Sequence, residues 1–298
     1  MILVLTNPIK IDRKSRSELI VSFKDYTRNY NLRDITGVVI LGSSTLIPSG
    51  VVSLLSSMNI PLIISNKLGV AISSPTLVVM LSEVREKQYK LTDEEKSEIA
   101  RNFILARFNG LSNLLKYYKQ DPPQLVDNND LLVWEAINSR AFWDKIFNLF
   151  PKEVRDIGRK PRHSDPFNKS LSLAYALLYA ICTRALLSFG FDPTYGFMHK
   201  SRYSTALSFD FSEMFKPIAI HAVIRAYKKG LSLDKEGELS KDSVNKVSRE
   251  FFDLISKKQN NESIYKAVYN RALKLSQYLR KKDKSIKYTF TYDPRKLS

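Results

Sequence analysis

The first 75 residues contain short runs of branched apolar residues, whereas the rest of the chain repeats apolar positions at helical spacing. Between the apolar runs at 38–41 and 61–65, residues 47–57 predict one helix. The Ser-Ser-Thr sequence at 43–45 can cap this helix, and Asn59 closes it. Gly69 predicts a hairpin into a strand at 70–73. The runs that predict strands are residues 2–5, 9–11, 19–23, 38–41 and 61–65.

From about residue 75 the spacing predicts helices. The first covers residues 77–89. The second, 93–118, follows a capping box with Thr92 at N-cap and Glu95 at N3, and the Asp-Pro-Pro sequence after Gln120 ends it. No unit of roughly 20 to 50 residues repeats, which excludes a solenoid. Further helices are predicted at 129–149, at 166–189, from about 210, at 241–258 and at 263–281.

We therefore predict an α+β protein with a small N-terminal β-sheet domain that contains one helix and a larger C-terminal all-α domain that carries the catalytic residues. The predicted boundaries are 1–75 for the N-terminal domain, 76–90 for a linker helix and 91–298 for the C-terminal domain. The N-terminal domain contains no catalytic cluster, so we expect it to serve folding, dimer contact or the docking of a partner.

Two basic segments, 154–164 and 281–298, are expected to be mobile. The second interleaves its basic residues with Tyr288, Phe290 and Tyr292. Basic residues interleaved with aromatic rings suit contact with a nucleic-acid backbone. A solvated loop and a solvated tail are the alternatives.

The charge of the chain indicates a polyanionic partner. It has 298 residues, with 47 Lys and Arg against 30 Asp and Glu and a net charge of +17. Nucleic acid is the first candidate, and a basic protein that is simply soluble or touches acidic membranes is the alternative. The single cysteine, Cys182, excludes an intrachain disulfide and a cysteine-based zinc site, and we expect it in the core.

The N-terminal sequence lacks the basic and long apolar regions of a signal peptide. The longest apolar stretch, residues 171–182, is well short of the roughly 20 residues needed to span a bilayer. We therefore expect the protein in the cytoplasm.

The candidate chemistry is concentrated in residues 190–217. Glycines and a proline frame a loop that carries His199, one of only three histidines, and Asp210 and Glu213 follow three residues apart. If a helix starts near Ser212, both carboxylates lie near one face at its first turn. One imidazole and two carboxylates suit a divalent metal that binds a phosphate and an attacking oxygen.

A third carboxylate completes such a site, and Glu135 is the best candidate because it lies in an apolar helical segment. Its alternative is a surface position or a salt bridge to Arg140 or Arg162. Taken singly, His199 also fits a satisfied loop or core histidine. Asp210 alone fits a helix cap, and Glu213 alone fits a first-turn acid. Together, in a basic chain, the acidic residues predict a metal-dependent site that processes phosphodiesters.

Other chemistries fit poorly. The chain has no His-Glu-x-x-His sequence, no phosphate-binding Gly-x-x-x-x-Gly-Lys, no Gly-x-Ser-x-Gly elbow and no Gly-x-Gly-x-x-Gly fingerprint. Tyr195 as a nucleophile that forms a phosphotyrosine is a weaker alternative.

Several segments resemble one family in their order along the chain. Glu135 on a helix is followed by Asp-Pro-Phe-Asn at 165–168, then Tyr175. Two longer segments follow, Gly-Phe-Asp-Pro-Thr-Tyr-Gly-Phe-Met-His at 190–199 and Asp-Phe-Ser-Glu-Met-Phe-Lys-Pro at 210–217. Together with Ile-Thr-Gly-Val-Val-Ile-Leu-Gly near the N-terminus, they resemble the CRISPR-associated integrases, the catalytic proteins of spacer acquisition.

The resemblance implies an N-terminal β-domain that builds a homodimer and a helical domain that binds Mg²⁺ or Mn²⁺. By that similarity Glu135, His199 and Glu213 are the metal ligands, and Asp210 supports them. Lys216 stands where many relatives carry Arg. Glu213 stands where others carry Asp, and this exchange of one acid for the other leaves its assignment as a metal ligand unchanged. The resemblance implies a DNA endonuclease and integrase whose dimers flank a dimer of a small partner, a CRISPR-associated protein of the Cas-two family.

On this basis we expect a metal-dependent attack on a phosphodiester, by a DNA 3′-hydroxyl in integration and by water in cleavage. The candidate DNA-binding residues are Arg162, Lys200, Arg202 and Lys216, and solvated surface charge is their alternative. Two other functions stay open. One is a non-catalytic nucleic-acid-binding scaffold, which needs no metal, and the other is a metal-dependent repair nuclease acting on branched DNA.

Overall fold

Two small sheets and one crossover helix form the N-terminal part of the chain. The computed structural model describes residues 2–33, 35, 37–42, 44–58, 60–66, 69–73, 82–161, 163–199 and 205–298. The elements here are β1 (Ile2–Thr6), β2 (Lys10–Arg13), β3 (Glu18–Ser22), β4 (Thr27–Asn31), β5 (Gly37–Leu41), α1 (Ser49–Ser57), β6 (Leu62–Asn66) and β7 (Gly69–Ser73). The larger sheet has the order β1-β5-β6-β7, and the smaller has the order β2-β3-β4.

The central strand β5 explains how the larger sheet is placed. Strands β1, β5 and β6 are parallel, and β7 runs antiparallel to β6. Val38 and Ile40 pack into the N-terminal core with α1, while Val39 packs into the larger core of the helical region. A strand covered on both faces reads as a continuous apolar run, which is the sequence of β5.

Strand β4 was missing from the predicted strands. Its sequence, Thr-Arg-Asn-Tyr-Asn, is polar and mostly exposed, and it forms an edge of the smaller sheet by antiparallel pairing with β3. Because an exposed edge strand needs no apolar alternation, periodicity does not reveal it.

Helices form most of the described residues after β7. They are α2 (Ser82–Tyr89), α3 (Asp93–Tyr117), α4 (Leu131–Phe147), α5 (Lys152–Ile157), α6 (Pro166–Ser188), α7 (Ala206–Ser212), α8 (Lys216–Tyr227), α9 (Lys241–Ser256) and α10 (Ile264–Lys281). A 3₁₀ turn, Glu213–Phe215, joins α7 to α8, and a second, Pro294–Lys296, lies near the C-terminus. A short hairpin of β8 (Lys258–Gln259) and β9 (Glu262–Ser263) precedes α10. The predicted α+β fold class is confirmed.

Helix α6 is the central helix of this region and packs against α7, α8, α9 and α10. Asp165 caps its N-terminus by accepting from the amide of Asn168, and Pro166 occupies the first turn. Cys182 is buried in it, as expected. Within the part of the chain that the structure describes, α6 is the one helix whose length and composition would allow a membrane span. However, 72% of its apolar window is buried inside the protein, as in a core helix.

Several predicted bounds need correction. The capping box of Thr92 and Glu95 is present at the start of α3. The helix expected from about residue 210 begins earlier, at Ala206, and is interrupted after Ser212, so Asp210 lies in its last turn. The basic segment 154–164 starts as helix α5 rather than as a mobile loop. Residues 77–81 of the first predicted helix lie outside the described residues. The predicted domain boundaries stay a prediction.

The C-terminal tail is packed, contrary to the expectation of mobility. Tyr288, Phe290 and Tyr292 are buried in the helical core. The Tyr292 backbone oxygen accepts from Asn113 Nδ2 at 3.0 Å, and the Tyr292 hydroxyl lies 2.7 Å from His221 Nδ1. These aromatic rings therefore hold the tail on the helices, and they are not a surface for nucleic acid.

Because His221 is buried, the stability of the protein is expected to fall as the pH falls. The residue is 3% exposed, and burial, followed by the charges of Arg225 and Lys228, lowers its pKa to about 3. An unfolded histidine binds a proton below about pH 6.5, whereas the folded one does so only near pH 3. Protonation therefore favours the unfolded state, and stability falls as the pH falls through this window.

When the pH is lowered from about 6.5 to about 4.5, we expect the free energy of unfolding of His221→Asn to fall by roughly 2 kcal/mol less than that of the wild type. This difference follows from about 1.4 kcal/mol per unit of pKa difference. Urea unfolding at the two pH values measures this difference. Equal losses in both proteins would show that His221 does not titrate differently on folding.

Candidate functional site

A buried arginine brings together two of the predicted site residues. Arg107, on α3, has a side chain that is only 8% exposed. Its Nη1 donates to Glu213 Oε2 at 2.5 Å, and its Nη2 donates to Glu135 Oε1 at 2.6 Å. Glu135 comes from α4 and Glu213 from the 3₁₀ turn, so one guanidinium gathers carboxylates from distant parts of the sequence.

Glu135 lies at the margin of the buried face of α4, with 27% of its side chain exposed. Ser139, one turn later, donates from Oγ to Glu135 Oε1 at 2.7 Å and accepts from Arg107 Nη2 at 2.6 Å. The ion-pair partner of Glu135 is thus Arg107, whereas the alternative drawn from the sequence was Arg140 or Arg162. Arg162 lies outside the described residues.

Glu213 is the more deeply buried carboxylate, with its side chain 3% exposed. Lys216 Nζ donates to Glu213 Oε1 at 2.5 Å, so each carboxylate oxygen contacts a cation. Burial alone would raise the pKa of Glu213, but the charges of Arg107 and Lys216, with a smaller contribution from His199, lower it to about 2. Glu213 is therefore ionised at neutral pH.

Asp210 organises the loop that carries His199. It is buried, and its carboxylate accepts from the backbone amides of Phe197 at 2.6 Å, Met198 at 2.9 Å and His199 at 3.2 Å. It also contacts Nδ1 of the His199 ring at 2.5 Å. Because a carboxylate only accepts, Nδ1 carries a proton, and Nε2 is the acceptor nitrogen of the neutral ring. Asp210 is therefore a loop organiser, and the helix-cap alternative was wrong.

The same loop requires a glycine at position 196. A Cβ atom at Gly196 would lie 2.4 Å from the carbonyl oxygen of His199 and 2.9 Å from Asp210 Oδ2. On the far side of the loop, the buried Gln88 donates from Nε2 to the carbonyl oxygens of Asp192 and Tyr195 at 2.9 and 2.8 Å. Helix α2 and helix α7 therefore hold the loop from opposite ends.

Lys216 and Arg159 both lie near the ring of Tyr175. Lys216 Nζ lies 5.4 Å from the centre of the Tyr175 ring, and the Arg159 guanidinium lies 6.0 Å from the same centre. Burial raises the pKa of Tyr175 to about 12, so it stays a neutral hydroxyl. Asn168 Oδ1 accepts from Arg159 Nη1 at 2.8 Å and from the amide of Lys160 at 3.0 Å, which fixes the basic segment after α5 against α6.

The sequence analysis missed Arg107. It lies in α3 among the buried Phe103, Ile104, Phe108 and Leu111, at the spacing of the apolar face. A charged residue on a buried face needs a charged partner, and that position was the available signal. Of the predicted DNA-binding residues, Lys216 is bound to Glu213, whereas Arg162, Lys200 and Arg202 lie outside the described residues.

The donor set fits a hard divalent ion in its chemistry, because it combines two carboxylates with one imidazole nitrogen. Among the described residues, no three His, Cys, Asp or Glu side chains are arranged to hold an ion as they stand. The contacts explain this arrangement, since Arg107 engages both carboxylates. Reorientation of these side chains is therefore part of any metal binding at Glu135, His199 and Glu213.

We expect Asp210→Asn to destabilise the protein by about 3 kcal/mol. The side-chain amide would place an N–H donor against the backbone N–H groups that donate to the carboxylate in the wild type. Thermal unfolding measures the loss, with Asp144→Asn, at an exposed position on α4, as the matched control. A change no larger than that of the control would show that Asp210 does not hold the loop.

The chain was compared with known proteins. Residues 3–252 match the family model described as CRISPR associated protein Cas1. "CRISPR-associated endonuclease Cas1 2" of Saccharolobus solfataricus is 29% identical over 221 residues, which cover 69% of this chain and 70% of that relative.

Two solved structures share the fold. A chain of "Casposase bound to integration product" aligns with a TM-score of 0.79 at 21% identity, over 97% of this chain and 93% of its own length. A chain of the "Cas6-RT-Cas1–Cas2 complex" aligns with a TM-score of 0.74 at 18% identity, over 99% of this chain and 36% of its own length. Because the family model covers most of the sequence, the chain belongs to the family of CRISPR-associated protein Cas1.

Proposed function

We propose that this protein is a metal-dependent DNA endonuclease and integrase that inserts new spacer DNA into a CRISPR array. The observation that carries the proposal is the convergence of Glu135 and Glu213 on one guanidinium, together with a histidine whose ring Asp210 orients and which contributes to the lowered pKa of Glu213. Family membership supports it, since one relative is named an endonuclease and one fold neighbour is a casposase bound to its integration product.

Glu135, His199 and Glu213 would hold the metal, which we propose to be Mg²⁺ or Mn²⁺. When bound, such an ion supplies stabilisation of the charge that develops on the scissile phosphate and lowers the pKa of the attacking hydroxyl. Asp210 supports the site by fixing the ring of His199 with Nε2 as its acceptor nitrogen, an arrangement that also raises the basicity of a ligand histidine.

The cations around the carboxylates bind and orient the substrate in this proposal. Lys216 and Arg107 place positive charge beside Glu213, where a DNA phosphate would approach. Lys216 acts as a point charge, whereas Arg107, with both terminal nitrogens bound to carboxylates, adds positive charge from a buried position. The nucleophile is the 3′-hydroxyl of an incoming DNA end in integration and water in cleavage.

The charge of +17 supports double-stranded and branched DNA as the substrates. We include Arg162, Lys200 and Arg202 among the residues that contact its phosphates. We also propose a homodimer built by the N-terminal domain and assembly with the small Cas2 partner, in the cytoplasm. A fold neighbour belongs to a complex that contains Cas2, which supports the choice of that partner.

The pairing of both glutamates with Arg107 and Lys216 is also what a non-catalytic DNA-binding scaffold would show. In that function the ion pairs are structural and chemistry is absent. A repair nuclease would cleave branched DNA without joining ends. These functions differ in their dependence on metal and in their products.

The test is strand transfer and cleavage of a labelled branched or 3′-ended duplex with Mg²⁺, with Mn²⁺ and with chelator. We expect joining only with metal, and a loss of at least about a hundredfold in Glu135→Gln, which keeps the shape of the side chain but removes a charged ligand. DNA binding by that variant should stay within about twofold of the wild type, because binding rests on the basic surface.

Asp144→Asn, an exposed acid on the same helix, is the matched control and should join DNA at the wild-type rate. Joining in chelator, or full activity of Glu135→Gln, contradicts the proposal. Binding without chemistry under every condition supports the scaffold, and cleavage without joining supports the repair nuclease.

A further inference from the structure

Arg107 occupies the oxygens that a metal would need. Its two terminal nitrogens contact Glu213 Oε2 and Glu135 Oε1, while Lys216 contacts the second oxygen of Glu213. Lys216 touches only one of the two carboxylates in these contacts, whereas the guanidinium spans both. A divalent ion held by Glu135 and Glu213 would therefore compete with Arg107 for the same atoms.

The guanidinium is not fully satisfied in this position. Its Nε is buried and has no hydrogen-bond partner among the described residues, although both terminal nitrogens are engaged. A buried donor without a partner carries a desolvation cost, which lowers the net stabilisation that the whole contact provides. Arg107 is thus held by strong charge pairs but not by a complete hydrogen-bond set, as expected of a side chain that can exchange its partners.

We infer that Arg107 is an internal counter-cation that competes with the divalent metal, so that metal loading requires its guanidinium to leave Glu135 and Glu213. This inference rests on the proposed function and adds to it a step in the loading of the site. Before loading, Arg107 keeps two neighbouring carboxylates from repelling each other in a buried place. After loading, the released guanidinium remains beside the site with a fork that fits a phosphate.

The alternative is that Arg107 only supports the ligands by holding them in position. The two roles predict opposite signs for one measurement. If Arg107 competes with the metal, its removal tightens metal binding. If it positions the ligands, its removal weakens metal binding.

The experiment measures Mn²⁺ affinity by electron paramagnetic resonance of free Mn²⁺ at about pH 8, together with melting curves in chelator and in Mn²⁺. We expect Arg107→Gln to lower the Mn²⁺ dissociation constant roughly tenfold. We also expect it to melt earlier than the wild type in chelator and to gain more than the wild type from Mn²⁺. Arg101→Gln, on the same helix and paired with Asp127, should match the wild type in Mn²⁺ affinity.

The second variant is Arg107→Lys, which keeps the charge but cannot bridge both carboxylates. We expect its Mn²⁺ affinity to lie between those of the wild type and Arg107→Gln. It decides the question if Arg107→Gln does not fold without metal. Unchanged or weaker Mn²⁺ binding in the folded Arg107 variants overturns the competition alone. If the wild type shows no Mn²⁺ binding, or only binding that Glu135→Gln retains, both the proposed function and the competition are overturned.

Discussion

The site depends on the neutralisation of two carboxylates that the fold brings together. Glu135 and Glu213 lie 78 positions apart in the sequence, yet both contact the guanidinium of Arg107. Removing one partner from a buried ion pair typically costs about 3–5 kcal/mol, because the remaining charge stays buried. Helix α3, which contacts both α4 and the turn before α8, therefore provides the charge that stabilises both carboxylates at this point.

Two further contacts fix the loop that carries the histidine. Asp210 accepts hydrogen bonds from three consecutive backbone amides and contacts one ring nitrogen, so side-chain contacts rather than regular secondary structure shape this end of the loop. Gly196 allows the close approach on which these contacts depend. The break between α7 and the 3₁₀ turn then separates the roles of the two acids, since Asp210 faces the loop and Glu213 faces Arg107.

Much of the fold follows from local patterns. The capping box before α3 and the apolar spacing of α4 and α6 predict those helices closely, because each pattern is complete within its own segment. Strand β4 and the packed tail depend on long-range partners. The tail aromatics Tyr288, Phe290 and Tyr292 resemble a nucleic-acid contact in sequence, and only the packing against α8 and the helical core reveals their role. The partner of Glu135 was equally hidden, since Arg107 is 28 residues away.

The central claim is that Glu135, His199 and Glu213 form one metal site that Arg107 occupies in competition with the ion. The most direct measurement is a crystal structure grown with Mn²⁺, with an anomalous difference map recorded at the manganese edge. We expect one strong peak contacted by all three side chains, with the Arg107 guanidinium turned away from both carboxylates. A crystal of protein active with Mn²⁺ that shows no peak there, and an Arg107 that still bridges Glu135 and Glu213, would contradict it.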